Sequence, residues 1–200
     1  MNWGRLLLVI GSLQFIIAML VAEQLYPGYN PLHNYISDLG ALRAPTSTLF
    51  NTSVFLLGLL GLAAAYLLRA ELGRLGAALL AVAAVGAMGV GIFPEDYGAP
   101  HGISALVTFL FGGIAVIIMG ARRGGVYKPL GIAMGVIALA ALALFVPRIQ
   151  TPLGIGGVER LIAYPILIFF ILYGLSGKKA DAGRRGDSSG PPPPEDGPLF

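Results

Sequence analysis

The chain has 200 residues, of which 56% are hydrophobic and only 12% charged. That composition leaves too little polar surface to cover a soluble domain of this size and excludes one. The absence of cysteine rules out disulfides, thiolate metal sites and cysteine nucleophiles, and the net charge of +3 is explained by membrane topology rather than by nucleic-acid binding.

A bilayer core of about 30 Å is crossed by an apolar helix of about 20 residues. Six stretches approach that length, the fifth being short: Leu6 to Ala22, Leu49 to Leu68, Leu75 to Phe93, Ile103 to Ala121, Leu130 to Phe145 and Val158 to Leu175. They predict an all-α, polytopic membrane protein, a six-helix bundle occupying residues 1–175. The first stretch, preceded by Arg5, has the outline of a secretory signal peptide. Its apolar region is too long for one, however, and Leu20 breaks the small-x-small pattern before Ala22, so it is expected to be a retained helix.

Between the first two spans lies the longest connection, Glu23 to Thr48, which contains YNPLHNYISDLG, Tyr29 to Gly40. Asn30 as N-cap, Pro31 at the first helical position and Gly40 just past the end predict a short amphipathic helix in this loop. Leu32, Tyr35, Ile36 and Leu39 would share its apolar face, with His33, Ser37, Asn34 and Asp38 on the other. The second span opens on Asn51, Thr52 and Ser53 and is followed by a turn, Arg69 to Arg74, that reads as a charged cap. Gly86, Gly89 and Gly91 near the end of the third span suit close packing or a bend. The second long loop is FPEDYGAPHG, residues 93–102, with His101 opening the fourth span. After the basic RRGGVYK turn, Gly131 and Gly135 form a G-x-x-x-G packing pattern in the fifth span. The third loop, PRIQTPLGIGGVER, is rich in glycine but lacks the lysine of a phosphate-binding P-loop. From Ser176 the chain becomes charged and rich in glycine, serine and proline, so residues 176–200 are expected to be a disordered tail. No internal repeat supports an inverted-repeat transporter.

Ten of the thirteen basic residues lie on one side of these spans, leaving Arg43, Arg148 and Arg160 on the other. By the positive-inside rule the protein is expected in the cell membrane, with both termini cytoplasmic. The outer side then collects most of the chemistry-bearing groups, including both histidines. Three site readings follow. His33, Asp38, Asp96 and His101 offer two nitrogens and two carboxylates, a donor set that suits a divalent metal, though without a tell-tale ligand spacing. Ser37 with Asp38 and either His33 or His101 are candidates for acid–base hydrolysis. Arg43, Arg148 and Arg160 could clamp a lipid phosphate, with Asp96 and Glu159 as further ligand-binding positions. Glu159 and Arg160 could equally pair with loop charges and lock the bundle. The favoured expectation is an outward polar pocket that binds or acts on a membrane lipid headgroup. The competing class is a noncatalytic scaffold or accessory subunit that meets a protein partner or a second copy of itself.

NYISDLGA after the first span, FPED with His101 before the fourth, and GGVER opening the sixth together resemble the archaeal and bacterial membrane family called domain of unknown function 998. The resemblance covers about residues 5–175, and ISDLG is its most specific piece. That family is similar, more distantly, to the Frag, DRAM and Sfk group of membrane proteins. The resemblance implies a six-helix bundle and a lipid-related role. The positions that match are Ser37, Asp38, Gly40, Pro94, His101, Glu159 and Arg160, and the family brings no established catalytic residue to them.

Overall fold

The computed structural model describes residues 2–177, and these fold into six helices. They are α1 (Trp3–Leu25), α2 (Ser47–Leu67), α3 (Arg69–Ile92), α4 (Ala99–Arg123), α5 (Tyr127–Phe145) and α6 (Gly154–Leu175). All six are long and apolar enough to cross a membrane, and the chain is a multi-pass membrane protein. Helices extend past the apolar runs because polar groups close their ends. The Asn2 side chain caps α1 by accepting the Gly4 N–H at 2.9 Å, and Arg122 and Arg123 end α4, where positive charge favours the helix dipole. The tail beyond Gly177 lies outside the described residues.

Each helix packs against its neighbours in sequence, α1 closes the ring against α6, and α4 also reaches α6 across the bundle. Only Leu68 separates α2 from α3. The reversal between them is carried by Gly73, whose φ of +69° breaks the first turn of α3, a conformation that glycine adopts without steric cost. The α4–α5 contact uses the glycine pattern of α5. A Cβ at Gly131 would lie 2.7 Å from the Val116 carbonyl oxygen, and one at Gly135 would lie 2.7 Å from that of Gly113. In lipid, such close backbone approach lets helices gain dispersion contacts.

The short helix expected across Tyr29–Gly40 is present only as a 3-10 turn, Ser37–Gly40. Local side-chain hydrogen bonds take its first half. Asn30 Oδ1 accepts the Leu32 N–H, Asn34 Oδ1 accepts the Asn30 N–H, and Asp38 Oδ2 accepts the Tyr35 N–H, which competes with a continuous helical ladder. The apolar residues also point elsewhere than to a bilayer surface: Ile36 and Leu39 are buried in the bundle, while Leu32 is exposed. The connection therefore plugs the long-loop end of the ring.

Candidate functional site

The first long connection is held down by α6. Gly156 N–H donates to the Leu32 carbonyl at 3.0 Å. Arg160 donates to the carbonyls of Pro31 (2.7 Å) and Gly156 (3.1 Å), to the Tyr29 hydroxyl (2.8 Å) and to the Glu23 carboxylate. Those contacts occupy four of the five N–H donors of a guanidinium. Burial is the main cause that pushes the Tyr29 hydroxyl up to about 12, with the Glu23 and Glu159 carboxyls adding to it, so the phenol stays protonated and donates to the Tyr35 carbonyl at 2.8 Å. Arg160 is thus a lock between α1, α6 and the loop. Expected in an anion clamp, Arg160 here spends its side chain on Glu23, Tyr29 and two carbonyls.

Over that anchored loop opens a cavity of about 550 Å³. The first connection contributes Tyr35, Ser37 and Asp38, and the short 3-10 turn Glu95–Tyr97 contributes Glu95 and Asp96. His101 and Ala105 come from α4, Phe145 and Arg148 from the end of α5 and the loop beyond it, and Glu159 from α6. Four carboxyl groups, those of Asp38, Glu95, Asp96 and Glu159, stand out among the polar lining. Asp38 Oδ2 accepts from the Asn34 side chain (3.1 Å) and the Tyr35 N–H (2.9 Å), Asp96 Oδ2 from the Leu42 N–H (2.7 Å), and Glu159 Oε2 from the Ile36 N–H (2.6 Å). Burial, together with hydrogen bonding and charge from Asp38 and charge from Asp96, pushes the Glu95 carboxyl up to about 7, against a hydrogen bond from Ser37 that works the other way. His101 Nδ1–H donates to the Phe93 carbonyl at 2.8 Å, which in a neutral ring leaves Nε2 as an acceptor.

Beneath this cavity an apolar slot of about 100 Å³ runs between the helices, bordered by Phe15, Phe50, Leu80, Phe109 and Leu167 among others. Ser37, His101, Ala105 and Glu159 line both compartments. Ser12 also borders the slot, is 1% exposed, and has a hydroxyl with no hydrogen-bond partner among the described residues.

The sequence candidates therefore separate. Ser37, Asp38, Asp96, His101, Arg148 and Glu159 converge on the cavity, whereas His33 and Arg43 do not line it. Among the described residues no group of three or more histidine or carboxylate side chains could hold a metal ion, so the expected set of His33, Asp38, Asp96 and His101 is not assembled. His33 sits instead near Gly154 at the start of α6. The hydrolytic arrangement is not assembled either. The hydrogen bonds of Asp38 go to Asn34 and Tyr35, and that of His101 to Phe93, so no carboxylate orients a histidine toward Ser37. Of the three arginines proposed as a clamp, only Arg148 reaches the cavity; it is exposed, with a left-handed φ of +56°.

Two features escaped the site candidates. Glu95 was visible in FPED but had no stated role; its significance depends on the first and second long loops meeting. Glu71, in the turn taken for a charged cap, instead accepts from Arg5 (2.7 and 3.2 Å) and from the Tyr173 hydroxyl (2.6 Å), with Arg123 at 3.5 Å. This network ties α1, α3, α4 and α6 together at the end of the bundle opposite the cavity.

No curated protein and no solved structure matches the chain. The family model described as "Protein of unknown function (DUF998)" matches residues 9–176, and the chain belongs to that family.

Proposed function

We propose that this protein binds, and presents for recognition or reaction, the polar head of a membrane amphiphile on the outer side of the cell membrane. The observation that carries the reading is the union of two compartments of opposite character. A carboxyl-lined cavity and an apolar slot share Ser37, Ala105, His101 and Glu159. A polar head and a hydrocarbon chain joined in one molecule match that union, and apolar burial favours the chain by about 25 cal/mol per Å². The more distant resemblance to the Frag, DRAM and Sfk group points the same way.

Ala105 stands where the compartments meet, so Ala105→Phe tests the reading without altering any charge. In native mass spectrometry of protein released into uncharged detergent, the wild type is expected to carry an amphiphile adduct and Ala105→Phe to be bare, with both chains folded by thermal melting. Adducts of equal abundance on the two proteins, or none on the wild type, would overturn it.

A further inference from the structure

The cavity lining holds more carboxyl groups than basic side chains. Every ion pair among the described residues falls on Glu23 or Glu71. The carboxyls of Asp38, Asp96 and Glu159 are instead met by neutral donors, backbone N–H groups and the Asn34 amide, while Glu95 is met by the Ser37 hydroxyl and by the Asp38 carboxyl itself. Among the described residues, Arg148 is the sole lysine or arginine that lines the cavity. Enclosed carboxylates without a cation are costly, and a positively charged guest relieves that cost.

Two buried groups point to a guest independently of that balance. Glu159 is 5% exposed; one of its oxygens accepts the Ile36 N–H, and no protein donor among the described residues meets the other. Its side chain borders both compartments, so the open oxygen belongs to the wall where a head and a chain would join. Deeper in the slot, the unpartnered hydroxyl of Ser12 marks a second place able to receive a polar atom. A buried hydroxyl left without a partner, as that of Ser12 is, carries an uncompensated desolvation cost.

We infer that the guest is a long-chain amine whose ammonium head is received by Glu159 and Asp38, with Glu95 and Asp96 completing the carboxyl wall and the first few methylenes of the chain entering the slot. The inference rests on the amphiphile reading and specifies its head. An ammonium brings three N–H donors that carboxyl acceptors from different elements can share. An anionic head would face four carboxyls across the cavity. A bare divalent ion would use neither the slot nor the acceptors as they stand, because they do not form a metal-ligand cluster among the described residues.

The test offers the full-length protein, in uncharged maltoside detergent at about pH 8 where a primary amine is charged, an equimolar mixture of dodecylamine, dodecanol and dodecyl phosphate. Adducts are counted by native mass spectrometry. The amine is expected to exceed the alcohol by at least about tenfold, as a single well-placed charge pair produces. In Glu159→Gln and in Asp38→Asn that ratio falls to within about threefold while alcohol binding stays at the wild-type level, a residual set by exposed-pair energies. The alcohol signal and the melting temperature report that each variant is folded. Equal binding of amine and alcohol by the wild type, preference for the phosphate, a preference that survives both substitutions, or equal stabilisation by calcium chloride alone would overturn the ammonium assignment. The amphiphile reading would still stand after any of these. Failure of all three probes to bind the wild type would remove both.

Discussion

Glu95 shows how the site's chemistry comes from side chains that are remote in sequence but adjacent in space. Its carboxyl is pushed from the ordinary 4.5 up to about 7, first by burial and then by Asp38 and Asp96. Between those values the folded protein holds a proton that the unfolded chain has released. Its contribution to stability is therefore fully present below about 4.5 and is lost as pH rises through about 7. Melting temperatures of the wild type and Glu95→Gln between about pH 5 and 8 check this. The wild type should lose stability with rising pH relative to the variant, and parallel curves would reject the assignment. Taking the difference isolates Glu95 from the other polar groups that border the same cavity. An ammonium guest adds a consequence of opposite sign: it binds more tightly as Glu95 ionises, so dodecylamine affinity should rise as pH passes about 7. At this scale the sequence showed which residues were polar and on which side, but not their partners. Arg160 was legible as an outer charge; its pairing with Glu23, 137 positions away, depends on α1 and α6 closing the ring.

Among the elements, the seam between the first long connection and α6 determines whether the cavity exists. A Cβ at Gly156 would lie 2.0 Å from the Asn34 carbonyl oxygen and 2.5 Å from that of Pro31, so the loop must lift to admit one. Gly156→Ala is expected to destabilise the protein by about 1–3 kcal/mol, as overpacking does. It should also weaken amine binding, because the displaced loop carries Ser37 and Asp38. Thermal melting and the dodecylamine assay read the two effects. A variant with wild-type melting and binding would mean that the seam tolerates the methyl group and does not hold the cavity in shape. GGVER was readable as a pliable opening to α6, while the role of its first glycine was not, since only the packed loop makes a hydrogen atom necessary there. The short helix expected over Tyr29–Gly40 does not form for a related reason. Helical spacing and a good N-cap were visible, but Asn30, Asn34 and Asp38 bind the local backbone instead.

Over the whole molecule, hydropathy made the six spans legible because each helix must satisfy its own backbone in lipid. The order of helices round the ring follows from short connections; the closure of α1 on α6 and the slot inside have no one-dimensional signature. The two ends differ in kind. One has the carboxyl-lined cavity, and the other has Glu71 bonded to Arg5 and Tyr173 and paired with Arg123, close to the basic turns that set the expected orientation. If those turns face the cytoplasm, the cavity draws its guest from the outer leaflet or from beyond it. The absence of cysteine makes this directly testable with single substitutions at exposed positions on opposite ends, Tyr97→Cys and Val126→Cys, where the native side chains are 54% and 71% exposed. Neither change alters a lysine or arginine, so the charge bias is left intact. A membrane-impermeant maleimide is expected to label Tyr97→Cys on intact cells and Val126→Cys only after permeabilisation. The reverse pattern would place the cavity in the cytoplasm and make the inner leaflet the source of its guest. Labelling of both on intact cells would mean that the two positions do not lie on opposite sides of a sealed membrane.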